Sequence, residues 1–446
     1  MQTRHPLLQQ QTFAMWLQSH DDWPEWLKSQ KEKDWAQFLT LPMPKRTDED
    51  WRFASTHRLQ LEDYNCSAET RPVDTAALIE RSDWLADYAG RIILADNHTI
   101  EAPNALHTAT ARSQALWTPL VSMLNEPDRS TDAAFLEEHL ATSPAALGSE
   151  KFGALHAAWS SNGGVLRIPR GLAVETPFVI YHWATQPQQA LFPHTLIIAE
   201  EQCQARVIEV FLSADPDAAA FVCASATIHA NAGARIDYHA VQAWNTATCA
   251  IHLNQVDAQS HAEVQTVNIN LGARYLRHEH QSRLLGPGSN VATHALSLPT
   301  QKQEIDQRTL QTHRAPNSRS DLLFKNALLD ESRTIFSGLI RVDKEAQQTD
   351  AYQTNRNLLL STAAEANALP GLEIQANDVK CSHGATSGYL DEKSLFYLLS
   401  RGIPKTTAQE LMTFGFFEEI LAQLPEEDAF AKKVRALISD KLHGRV

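Results

Sequence analysis

The stretch Gln204-Ala-Arg-Val-Ile-Glu-Val210 is echoed three times downstream, as Gly233-Ala-Arg-Ile-Asp-Tyr-His239, His261-Ala-Glu-Val-Gln-Thr-Val267 and Ser289-Asn-Val-Ala-Thr-His-Ala295. The four starts lie 29, 28 and 28 residues apart. Within each copy apolar and polar residues largely alternate, the period of a strand with one buried face. Second strands, such as Phe221 to His229 and Thr248 to Val256, lie between the copies. A fixed period with two strands per repeat predicts a solenoid of β-coils, because one coil cannot bury its own inner face and stacking must supply the core. A β-sandwich also spaces its strands evenly, but near-constant spacing of about 28 favours the coil. This texture runs from about Phe152 to Gln375.

Working outward, residues 1–150 read as a helical and irregular domain. Five of the ten tryptophans fall within the first 51 positions: Trp16, Trp23, Trp26, Trp35 and Trp51. Trp16 to Trp26, and Trp35 with Phe38 and Leu39, sit at helix-compatible spacings, so aromatic packing is expected ahead of ligand stacking. Residues 151–385 form the predicted β-coil domain, and residues 386–446 return to helix. Ser394 is expected to cap a helix ending near Arg401, with Gly402 just past its end. Thr407-x-x-Glu410 is expected to box the start of the next helix, whose stripes carry Leu411, Phe414, Ile420 and Leu421. A third helix is predicted from about Glu426 to Leu442. Such a tail either caps the open coil end or docks a partner.

The chain has 446 residues, and 43% of them are hydrophobic, enough to bury a core without disulfides or metal. Its net charge of −14 repels phosphate backbones and anionic lipid, which argues against nucleic acid or a membrane surface as partner. No run approaches the ~18 apolar residues of a membrane span, and Met1 to Gln10 lacks an apolar signal core. The five cysteines (66, 203, 223, 249 and 381) form no C-x-x-C pair. A reduced, cytoplasmic protein is the expectation.

Catalytic signatures are absent from the sequence. It has no phosphate loop, G-x-G-x-x-G, G-x-S-x-G elbow or H-E-x-x-H helix, so intrinsic ATP hydrolysis is not expected. Two polar constellations remain. His278-Glu279-His280 on a strand would put both imidazoles on one face, a workable metal pair without a visible third ligand. Val379-Lys-Cys-Ser-His-Gly-Ala-Thr386 puts Cys381 and His383 on one face if extended, and thiolate plus imidazole suits iron or zinc. Lys380 points the other way. Two ligands leave such a site open, and a buried packing cysteine is the competing reading. Glu263, Glu279 and Asp306 are the carboxylates that a carbohydrate-active β-helix enzyme would need to pair in a groove.

The second constellation also carries a resemblance. Asp378-Val-Lys-Cys-Ser-His-Gly-Ala-Thr386, followed by Leu395-Phe-Tyr-Leu-Leu-Ser-Arg-Gly-Ile403, resembles the C-terminal signature of the SufB/SufD family of iron–sulfur cluster assembly proteins. Phe336-Ser-Gly-Leu-Ile-Arg-Val342 and Thr349-Asp-Ala-Tyr-Gln-Thr-Asn-Arg-Asn-Leu-Leu-Leu360 resemble that family's last β-coils, and Pro44-Lys-Arg-Thr-Asp-Glu-Asp-Trp-Arg-Phe53 resembles an N-terminal motif of the SufD branch. Gly384 stands where the SufB branch carries glutamate, which points to SufD. The resemblance implies a right-handed parallel β-helix between helical ends. It further implies a non-enzymatic scaffold subunit, joined to a SufB-like subunit through the final coils and to a SufC-like ATPase through the C-terminal helices. His383 would then help hold transient iron or a nascent cluster across from the SufB-like chain, with Cys381 the neighbouring motif cysteine. A flavin is neither implied nor excluded. Leu411, Phe414 and Phe417 are the expected anchors for the ATPase.

Overall fold

The structure is a computed structural model that describes residues 6–66, 73–102, 115–124, 136–140, 147–424 and 429–444. It is mainly β, a solenoid of about eight turns with helices at both termini. Two ten-stranded sheets run along it. In one, Arg235–Ala243 lies parallel between Gln204–Ser213 and Glu263–Asn270. In the other, Cys249–Ala258 lies parallel between Ala220–Ala230 and Tyr275–Leu284. The sequence repeats therefore stack on one another in a single sheet.

The register refines the period. Gln204 pairs with Arg235 rather than Gly233, and the column continues through Glu263, Asn290, Arg319, Asp350 and Lys380. The coils thus vary by a few residues, with the extra length placed in turns. The turn before each of the first six of these strands holds one residue at positive φ: Gln202, Gly233, His261, Gly288, Asn317 and Gln348. Each donates its backbone N–H to the next coil, as Gly233 does to Ser260 and Gly288 to Pro316. Left-handed geometry is free for glycine and costly for branched side chains, which explains the glycine or polar residue at every step.

Two expectations about the ends are corrected. The solenoid begins inside the segment read as helical: Gly90–Ala95 pairs in parallel with Phe178–Ala184 and antiparallel with His98–Glu101. Leu116–Pro119 likewise joins Gly163–Ile168. Ile92, Ile93 and Leu94 are all buried, and a strand covered on both faces shows no alternation to read. At the other end, Asp391 caps helix Glu392–Ser400 by accepting from the Ser394 N–H, so Ser394 is the third residue of the turn and not its cap. Helix Lys405–Leu421 starts directly after Pro404, which places Thr407 inside it and frees Glu410 to accept from Ser439 and His443. Gly402 does take positive φ past the first helix, as read. The third helix is Ala429–Leu442; residues 425–428 lie outside the described residues.

The tryptophans pack. Helices Gln10–Gln18 and Glu25–Thr40 bring Phe13, Trp16 and Trp35 against Trp159 of helix Glu150–Trp159, with ring centroids 4.9–5.9 Å apart. Lys31 is buried there and donates to the carbonyls of Ala157 (2.8 Å) and Ser160 (2.5 Å). Burial pushes its ammonium down to about 7. Below that pH folded and unfolded chains both hold the proton and the burial penalty is complete. Between about pH 7 and the ordinary lysine range only the unfolded chain holds it, so this residue makes stability rise with pH. Lys31→Met is expected to flatten the slope of unfolding free energy between pH 7 and 9 in urea titrations; a slope equal to wild type would contradict the assignment.

The last two helices lie along the flank of the solenoid and do not cap its end. Phe417, Ile420, Leu421, Phe430, Val434 and Ile438 bury themselves against outward residues of one sheet, among them Val241, Val267, Leu296 and Leu323. Lys325 reaches up from that sheet to the Phe416 carbonyl (2.8 Å) and the Glu419 carboxylate (2.7 Å). The final coil is left uncovered.

Candidate functional site

Among the described residues, strand Val379–Tyr389 is the last of its sheet and pairs only with Thr349–Leu359. Its register sets Cys381 beside Ala351 and His383 beside Gln353. Ala351 and Gln353 are buried inward residues of the previous coil, so Cys381 and His383 both face inward on a coil that nothing follows. They share one face, as the strand period predicts, at about 6.6 Å along the chain. Lys380 is on the other face. The companion strand Glu365–Ile374 is equally open, and its inward Leu372 and Ile374 are exposed.

Within this arrangement the two candidate ligands differ. His383 is exposed. Cys381 is half-buried and packs against the cluster of Ile340, Val342, Ala346, Ala351 and Ala376. Burial, and then the Asp350 carboxylate, push its thiol above the usual range. In the chain alone Cys381 is therefore a protonated packing residue, opposite to an activated thiolate. Among the described residues no three or more histidines, cysteines or carboxylates come together to hold a metal. Cys66, Cys203, Cys223 and Cys249 are buried, and burial raises the thiols of Cys66, Cys203 and Cys223.

The other constellations are placed in the core. His278 and His280 share a face as read, but that face is the solenoid interior, where His278 stacks on Phe324 and His280 meets Thr293. Burial holds their imidazoles down at about 4 and about 3, so both are neutral. Glu279 and Asp306 are buried beneath the N-terminal segment and both bind Arg277, at 2.7 and 2.6 Å, while Trp51 covers the guanidinium. Ser149 donates to Glu279, and the Arg277 guanidinium also donates to the Asp50 and Leu147 carbonyls. These carboxylates lock the N-terminal domain to the coils and lie in no groove. Glu263 is exposed and paired with Arg235. None of these three carboxylates forms the open pair in a groove that glycoside chemistry uses.

The C-terminal anchors also divide. Phe417 has no exposed surface, so it holds the helix on the sheet and cannot serve a partner. Phe414 is half-buried against the same cluster, whereas Leu411 is half-exposed. The exposed apolar surface that the sequence reading missed lies one helix earlier. Helix Glu392–Ser400 buries none of its residues, and Phe396 (71% exposed), Tyr397 and Leu399 stand open beside Tyr389. Five apolar residues in Leu395 to Leu399 carried that signal.

The geometry meets the comparisons at this strand. A family model described as SUF system FeS cluster assembly, SufBD core domain, matches residues 182–416, which takes in most of the coils, the Cys381/His383 strand, the first tail helix and most of the second. The chain belongs to the SufBD family. It is 32% identical to the iron–sulfur cluster assembly protein SufD of Escherichia coli over 68% of this chain and 72% of that protein. It is 26% identical to SufD of Bacillus subtilis over 91% of both. A SufBD family protein of Staphylococcus epidermidis is 24% identical over 71% of this chain. That two relatives carry the SufD name agrees with the branch read from Gly384. Among the described residues no helix is long and apolar enough to cross a membrane.

Proposed function

We propose that this protein is a non-catalytic scaffold subunit of a SufBCD-type complex that assembles iron–sulfur clusters in the cytoplasm. The observation that supports this reading most is the uncovered terminal coil, which presents the inward-facing His383 at an open edge with Cys381 two residues along the same strand. Iron or a nascent cluster is the cargo. Two ligands from this chain leave coordination positions that a SufB-like subunit would complete by adding its own coils to the open end. The exposed Phe396, Tyr397, Leu399 and Leu411 support docking of a SufC-like ATPase on the tail helices. Large apolar groups at such density seldom stay open in a working complex.

Co-expression with a SufB-like and a SufC-like chain tests the whole assignment: the three should purify together at fixed stoichiometry. The isolated chain should hydrolyse no ATP, since its sequence has no phosphate loop. Turnover that survives removal of trace ATPases would reject the scaffold role.

A further inference from the structure

We infer that Gln353 is the positioning residue for His383, acting through a hydrogen bond from one imidazole N–H to the Gln353 side-chain oxygen. The purpose of that bond rests on the proposed ligand role of His383; its existence does not. Gln353 sits directly below His383 in the register of the last two strands, on the inward face, and is 1% exposed. Its Nε2 donates to the Gly338 carbonyl at 3.2 Å. That contact fixes the amide orientation, because the reverse would set two carbonyl oxygens against each other. Oε1 is then buried without a partner. A buried oxygen left unbonded is destabilising, and such groups in folded proteins nearly always find a donor.

The surroundings narrow the choice of donor. On the preceding coil Gln353 stacks on Leu322, which has none to give. On the following coil, about 4.8 Å away, it stacks under His383. Gly338 makes room for the arrangement: a Cβ there would come within 2.4 Å of Oε1. In the structure the His383 side chain stands exposed, so the inferred bond is made when the ring turns toward the interior. A neutral imidazole has one N–H. Holding it on Oε1 leaves the second nitrogen's lone pair facing the open end, the orientation a shared metal ligand needs. Asn355, two residues along, has an amide N–H without a partner and is the competing donor.

The test reads the tautomer of His383 in the full-length chain, labelled with nitrogen-15 histidine, at pH 8 and without metal. The His383 signals are assigned by their loss in His383→Gln. Gln353→Met keeps the volume and removes the acceptor; Gly338→Ala keeps the acceptor and displaces the amide. Both are expected to change the tautomer ratio about fivefold, the size set by one net hydrogen bond. An unchanged ratio in both variants overturns the inference and gives Oε1 to Asn355 or water. Should Gln353→Met fail to fold, Gly338→Ala carries the same decision. Because no iron is involved, a shifted ratio stands even if cluster yield proves indifferent to His383, which would remove the ligand role alone.

Discussion

Replacing His383 by alanine is expected to leave the chain folded and assembled with its partners while cutting cluster yield by about tenfold or more. The first half follows from exposure: trimming a ring at the open end creates no sealed cavity and strands no buried charge, so the loss of stability should be limited to the one hydrogen bond to Gln353, about 1 kcal/mol. The second half follows from ligand count. Loss of a mere supporting contact typically lowers metal affinity 10–100-fold, and removal of a ligand from a set of two leaves less than that to work with. Cys381→Ser provides the contrast. Its thiol is held above the usual range within an apolar cluster, so a hydroxyl there should cost about 1–3 kcal/mol whether or not sulfur ever meets iron. Cluster content per assembled complex, measured in cells at matched complex levels, separates the two. Unchanged content with His383→Ala would leave the strand as interface packing.

The contrast between these neighbours shows what the sequence could carry. Period two put Cys381 and His383 on one face, and put His278 and His280 on one face, with equal success. What a period cannot state is which face is inward, or whether another coil follows. Both pairs face inward; one is sealed between coils and the other lies at the end of the stack. The repeats around Gln204 to Ala295 were legible because stacking demands the same pattern in every coil. Gly90–Ala95 was not, because a helical segment in front and continuous burial hide a strand. Thr407 and Glu410 matched a capping box, yet Pro404, with its fixed φ and missing N–H, starts that helix earlier. The Arg277, Glu279 and Asp306 lock was invisible for a further reason. Its members are scattered from Asp50 to Asp306, and only the fold brings them together.

Phe417→Ala should cost about 3–5 kcal/mol, the range for a fully buried phenylalanine, and should lift the two tail helices off the flank of the solenoid. The apolar stripe that made Phe417 look like a partner anchor is real, but its contacts are Val241, Val267, Leu296 and Leu323 of the chain's own sheet. A sequence stripe specifies that something covers it without saying what. The surface free to meet an ATPase is therefore Phe396, Tyr397 and Leu411, and here the expected effects reverse. Phe396→Ala and Leu411→Ala should leave urea midpoints nearly unmoved, since neither residue is buried. If either is a central anchor, its loss should weaken ATPase binding by 2 kcal/mol or more, about 30-fold in Kd. Urea denaturation and calorimetric titration with a SufC-like ATPase, run on the same three variants, give a crossed pattern. Phe417→Ala moves stability first and binding only as a consequence, restored where added ligand refolds the tail. Phe396→Ala moves binding alone. Wild-type affinity in both exposed-site variants would place the ATPase on some other face of the chain and return helix Glu392–Ser400 to the partner at the open coil.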